Sequence, residues 1–307
     1  MIQNHWFINT ALLSIAFIWG ITFVVVQEAI STIDPFSFNF LRFGLAAVLI
    51  FLFLFFTQKE KFSFKTLFTQ LKIGSFLGLL LFLGYALQTF SLLHTTPGKS
   101  GFLTGLAVAL VPIISYFILR QKPTFQGMVG VVLAVLGLYL LAFSGMTGVN
   151  IGDLLALLCS FAFGLQIVYT GKFASKTSVL YLVLSQLITV AVLSGIFALI
   201  FEPTLSLNIL LHPSVIGALL VTSIFATVIA YIAQTFFQKS TSPSKVALIF
   251  SMEPVFAALA DYLWNATTLG TRSIFGCLLI LFGMLLAEIP LLRYFSFLKI
   301  KNQKANM

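Results

Sequence analysis

Glu253-Pro254 stands out because it places a carboxylate inside an uninterrupted apolar run. Charge in such surroundings is costly and needs a reason, and the adjoining proline removes a backbone donor and crowds the preceding turn. Two chemistries fit the pair: a group that takes up and releases a proton or contacts a substrate amine, or a carboxyl pinned by a hydrogen bond to a neighbouring helix. Arg42 is a basic residue two turns inside an apolar run. Its readings are snorkelling to the headgroups, an ion pair with Glu28, Asp34 or Asp261, or a clamp on a substrate carboxylate.

A second set of polar side chains is repeated. Tyr85, Gln88, Thr89, Phe90, Thr95, Pro97 and Lys99 recur as Tyr231, Gln234, Thr235, Phe236, Thr241, Pro243 and Lys245, at a constant offset of 146 and with seven identities in a 15-residue window. Paired tyrosines and amides suit a polar binding site, or equally interhelical hydrogen bonds. Trp19, Thr22, Gln166 and Tyr169 are further candidates of the same kind.

The elements that must hold these residues follow from composition. Of 307 residues, 60% are hydrophobic and 8% charged, and the mean hydropathy is +1.09. A soluble domain carries charge on about a quarter of its residues. The chain therefore reads as an all-α integral membrane protein. Ten stretches approach the roughly 20 apolar residues of a span: 9–28, 36–56, 71–93, 100–119, 126–144, 153–172, 178–201, 213–238, 244–263 and 273–292. The N-terminus reads as a retained helix, not a cleaved signal.

Basic residues orient the spans. With both termini cytoplasmic, 14 of the 17 Lys and Arg fall on the inside: Lys59, Lys61, Lys65 and Lys72, then Arg120 and Lys122, Lys172 and Lys176, Lys239 and Lys245, and finally Arg293, Lys299, Lys301 and Lys304. Lys99 and Arg272 fall outside. A miscounted span would invert every later loop and destroy this bias. Ten spans in two related parts make five per repeat, an odd number, so the repeats are expected to cross the membrane in opposite senses. The expected units are 1–145, 146–293 and a basic tail, 294–307. Trp19-Gly20 and Phe163-Gly164, 144 residues apart, are compatible with that division. Gly74-x-x-x-Gly78 and Gly101-x-x-x-Gly105 read as close-packing motifs on spans 3 and 4. Cys159 and Cys277, inside apolar runs, read as small packing residues, and most of the 35 phenylalanines as lipid-facing bulk.

Trp19-Gly20-Ile21-Thr22-Phe23, Leu41-Arg42-Phe43, Thr241-Ser242-Pro243, Glu253-Pro254-Val255 and the Gly276 to Gly283 stretch resemble the drug/metabolite transporter superfamily. The likeness covers nearly the whole chain and is nearest to the ten-helix EamA-type exporters. It implies two inverted five-helix repeats around a central cavity, and export of amino acids or other metabolites. The sequence departs from the family pattern after spans 4 and 9. Arg120-Gln121 and Trp264-Asn265 stand where Gly-Glu is common, which argues against a loop-glutamate gating or capping role and leaves the cavity expectation untouched.

The expected function is secondary transport, read as export, of small metabolites such as amino acids or amphipathic compounds by alternating access across a bacterial cytoplasmic membrane. The expected partners are the substrate, the lipid bilayer and protons as a coupling option, with no nucleic acid, cofactor or metal. A channel or receptor without carrier activity is the alternative, although no pore-lining ring or extramembrane domain is visible. An enzyme is not expected: His5, His94 and His212 sit at span ends or loops, without a triad or zinc motif. No Walker-type loop is present for ATP hydrolysis.

Overall fold

The computed structural model describes residues 5–57, 64–142, 150–203, 205–265 and 270–288. The 294–307 tail lies outside them, as do Lys59, Lys61, Arg293, Lys299, Lys301 and Lys304. The described residues form helices and turns, with no strand among them. Eight helices are long and apolar enough to cross a bilayer. They are α1 (His5–Ile30), α2 (Pro35–Thr57), α3 (Phe64–Leu92), α4 (Pro97–Leu119), α6 (Ile151–Phe173), α7 (Val179–Phe201), α8 (Pro213–Phe237) and α9 (Pro243–Trp264). Two apolar helices of 18 residues each, α5 (Phe125–Ala142) and α10 (Thr271–Glu288), complete the set.

Starts are set by familiar chemistry. Proline opens α2, α4, α8 and α9, where its missing N–H is not needed. The hydroxyls of Thr96 and Ser242 accept from the backbone N–H of Lys99 and Lys245, capping α4 and α9 alike. Asn150 and Asp153 form a reciprocal capping box at the start of α6.

Three spans are not continuous α-helix. In α9, Pro243–Phe250 and Glu253–Asn265 are separated by Ser251-Met252. Pro254 cannot donate to the Phe250 carbonyl and its ring crowds that turn, so the first segment ends there. A tightened turn at Leu106 divides α4, 146 residues before Met252, without an adjacent proline. Within α8, Ile224–Ile229 is π-helical, a form often found at functional sites.

The two parts of the chain are interleaved: α5 packs on α10, α2 on α7, α3 on α6 and α7, and α1 on α9. Glycine allows the α5–α10 approach, since a Cβ on Gly137 or Gly276 would lie 2.5 Å from the other's carbonyl oxygen. The GxxxG pairs expected on spans 3 and 4 do not face each other. Gly74 and Gly78 meet Ser185 and Thr189 of α7, and Gly101 and Gly105 meet Ala257 and Pro254 of α9.

Candidate functional site

The helices surround a central cavity of about 70 Å³. Trp19 and Thr22 of α1, Arg42 of α2, Tyr85, Gln88 and Thr89 of α3, Gln166 of α6, Tyr231 and Gln234 of α8 and Glu253 of α9 all line it. Phe23, Phe163, Val108 and Phe250 supply an apolar wall. These polar groups come from six helices, three in each part of the chain, so the cavity exists only when both parts are packed.

Arg42 does not snorkel; it is 3% exposed. Its Nε donates to Thr227 Oγ1 at 2.9 Å and its Nη2 to Tyr85 OH at 3.4 Å. The guanidinium lies over the rings of Tyr85 and Phe43, at 4.6 and 5.1 Å from their centroids. None of Glu28, Asp34 or Asp261 is within ion-pair distance, so the cation is held by hydroxyls and aromatic faces instead of a carboxylate. Ser223 Oγ also donates to the Arg42 carbonyl at 3.0 Å. Trp19 Nε1 donates to the Ala226 carbonyl at 2.8 Å. The π-helical turn of α8 and its approach thus fix both Arg42 and Trp19.

Tyr231 OH donates to Tyr85 OH at 3.0 Å. Below that contact an amide chain runs from Gln186 through Gln166 and Gln234 to Gln238, with links of 3.2, 3.3 and 3.2 Å. Gln238 Nε2 closes it on the Ile167 carbonyl at 3.0 Å. Gln88, related to Gln234 by the 146-residue offset, makes no hydrogen bond to any described residue and leaves its amide to the cavity. Thr89 Oγ1 donates to the Tyr85 carbonyl and accepts from Asn39 Nδ2 at 3.1 Å.

Glu253 opens the second segment of α9, at the positive end of that helix dipole. Its side chain lines the cavity without a hydrogen-bond or ion-pair partner among the described residues. Gly20 makes room for this turn, because a Cβ there would lie 2.7 Å from the Glu253 carbonyl oxygen. Trp19-Gly20 therefore has two jobs: the indole reaches α8 and the glycine admits α9.

Two stretches, residues 6–143 and 150–288, each match the model of the EamA-like transporter family. The chain belongs to that family. An uncharacterized transporter of Archaeoglobus fulgidus is 34% identical over 275 residues, 90% of this chain and 83% of its own length. The uncharacterized transporter YoaV of Bacillus subtilis is 26% identical over 278 residues, 89% and 94% of the two chains. A solved crystal structure, 17% identical, matches with a TM-score of 0.72 over 91% of this chain and 96% of its own. It shows the same fold. The chain is a multi-pass membrane protein of the EamA-like family.

Three candidates lie apart from the cavity. Tyr169 points to the side, its ring edge-on to Phe76 and stacked on Phe173. Thr235, on α8, is buried away from the cavity with no partner for its hydroxyl among the described residues. Pro254 packs on Gly105 of α4. Arg120, in place of the family's common glycine, adopts a left-handed φ of 56° at the end of α4.

Sequence reasoning missed Asn39, Gln186, Thr227 and Gln238. Gln186 had a signal: the 144-residue spacing of Trp19-Gly20 and Phe163-Gly164 also pairs Arg42 with Gln186 and Thr22 with Gln166. The same spacing separates the starts of α2 and α7.

Proposed function

We propose that this member of the EamA-like transporter family is a secondary carrier that exports small metabolites, such as amino acids or amphipathic compounds, by alternating access. In this reading all ten apolar helices cross the membrane, as two inverted five-helix repeats (1–145 and 146–293) with both termini and the 294–307 tail in the cytoplasm. The central cavity is the substrate site. Trp19, Thr22, Tyr85, Gln88, Thr89, Gln166, Tyr231, Gln234 and Glu253 contact the substrate, and Arg42 orients it.

The observation that carries the reading is the convergence of offset-related residues, Tyr85 with Tyr231 and Gln88 with Gln234, on one central cavity. Inverted repeats meeting at a central site are how carriers expose that site to either side in turn. The double match of the family model supports the division into repeats. At 18 residues, α5 and α10 each extend about 27 Å, close to the hydrocarbon thickness.

The test is counterflow. Purified protein in vesicles preloaded with one compound from a panel of amino acids, amines and dyes should take up labelled compound in a saturable, trans-stimulated manner. Flux that is unsaturable and indifferent to the trans compound points to a channel and rejects the carrier reading.

A further inference from the structure

The 144- and 146-residue offsets make every position on one membrane face comparable with a position on the other. Four positions on the Lys99 face are joined. Gln27 Nε2 donates to the carbonyls of Leu92 and Thr95, at 3.1 Å each, tying α1 to the α3–α4 turn. Thr95 Oγ1 and Lys99 Nζ both donate to the Asp153 carboxylate of α6. Lys99 and Asp153 are 12% and 5% exposed, so the ion pair is largely withdrawn from water. Asn150 adds a bond from its Nδ2 to the His94 carbonyl at 2.9 Å.

The related positions on the opposite face are Gly171, Gln238, Thr241 and Lys245. Together they line a vestibule of about 750 Å³. Gly171 has no side chain with which to repeat the Gln27 bonds. Asn9, which stands where Asp153 would be, is an amide and brings no negative charge. Between vestibule and central cavity lies the Gln234–Gln238 contact: Gln234 lines the cavity and Gln238 the vestibule. One face thus carries a charged, part-buried cluster, and at the other the Gln234–Gln238 amide contact stands between vestibule and cavity.

We propose that Gln27, Lys99 and Asp153 form the latch of one gate, and that its charge pair favours the state of the carrier closed at the Lys99 face. Removing one member of a part-buried ion pair strands the other, so loss of Lys99 destabilises the closed gate and shifts the population toward opening at that face. The latch deepens the carrier reading and rests on it.

The experiment reads access directly. In protein with Cys159 and Cys277 replaced by alanine, Val26→Cys provides a reporter in the cavity wall, and Leu207→Cys on a separate sample marks the Lys99 face. An impermeant thiol reagent is applied to vesicles from that face. With the latch intact the reporter reacts slowly; Lys99→Met should accelerate it roughly tenfold or more, and Lys99→Arg should stay near the parent. Gln27→Leu, which leaves the ion pair in place, should accelerate it less. Circular dichroism and size-exclusion profiles verify folding, and if Lys99→Met does not insert, Gln27→Leu carries the test alone. Unchanged labelling in the folded variants overturns the latch. Labelling needs no substrate, so accelerated labelling with no transport of any compound would reject the carrier reading and keep the latch.

Discussion

Tyr85 and Tyr231, 146 residues apart in the chain, meet hydroxyl to hydroxyl at 3.0 Å. The contact is made by two equivalent residues, yet its surroundings are unequal. Arg42 lies over the Tyr85 ring and donates to its hydroxyl, whereas Tyr231 packs on Trp19. Tyr231→Phe should therefore leave the Arg42–Tyr85 contact in place. It should cost about 1 kcal/mol of stability, the net worth of a typical hydrogen bond. Tyr85→Phe deprives both Arg42 and Tyr231 of a partner and should cost more. Thermal unfolding in detergent, compared between the two variants, checks the order.

Gln88 and Gln234 are equivalent in sequence and unequal in bonding. Gln88→Leu should leave unfolding unchanged and weaken substrate binding, because its amide is committed to no described residue. Gln234→Leu should weaken binding and also lower stability, by about 1–3 kcal/mol, since Gln166 and Gln238 each lose a partner. Binding measured by ligand-induced thermal shift separates the effects. Intact transport in both variants would reduce the pair to helix packing.

Glu253 has no partner among the described residues within the cavity, which leaves its carboxyl available to a proton or a substrate amine. Glu253→Gln keeps the size and hydrogen-bonding capacity and should fold normally, while uptake into vesicles loses its pH dependence. Glu253→Asp should retain some transport with a displaced pH profile. Normal pH-dependent uptake by the Gln variant would assign Glu253 a structural role.

Topology is tested by single cysteines in a background lacking Cys159 and Cys277. Leu207→Cys, on the Lys99 face, and Arg272→Cys should react with an impermeant reagent outside the cell. Lys122→Cys, Lys176→Cys and Lys245→Cys should react only after permeabilisation. External labelling at 176 or 245 would break the ten-crossing arrangement.

Helix content and the polar cast of the cavity were legible because burial in lipid leaves a plain record. A polar residue in an apolar run requires a partner or a cavity, and ten of the thirteen candidates line one. The partner of Arg42 was not legible. Distance along the chain gives no hint that Thr227, 185 residues away, accepts from it. Nor does any residue signal the π-helical turn that carries Thr227, since Ile224–Ile229 has neither proline nor glycine. Tyr169 follows Gln166 by three residues, the spacing by which Tyr85 and Gln88 share the cavity wall, so nothing in the sequence showed that its ring packs on Phe76 and Phe173 instead.

The glycine contacts between α5 and α10 bear on how such a machine can move. Gly130 with Gly283, and Gly137 with Gly276, bring the two backbones together at two levels. Sliding one helix along the other would drive a neighbouring side chain into a carbonyl, whereas a small swivel about the contact keeps the glycines opposed. If the carrier reading holds, the pair would serve as an axle that resists travel along its length and permits rocking, and a bulky residue at Gly137 would jam the bearing.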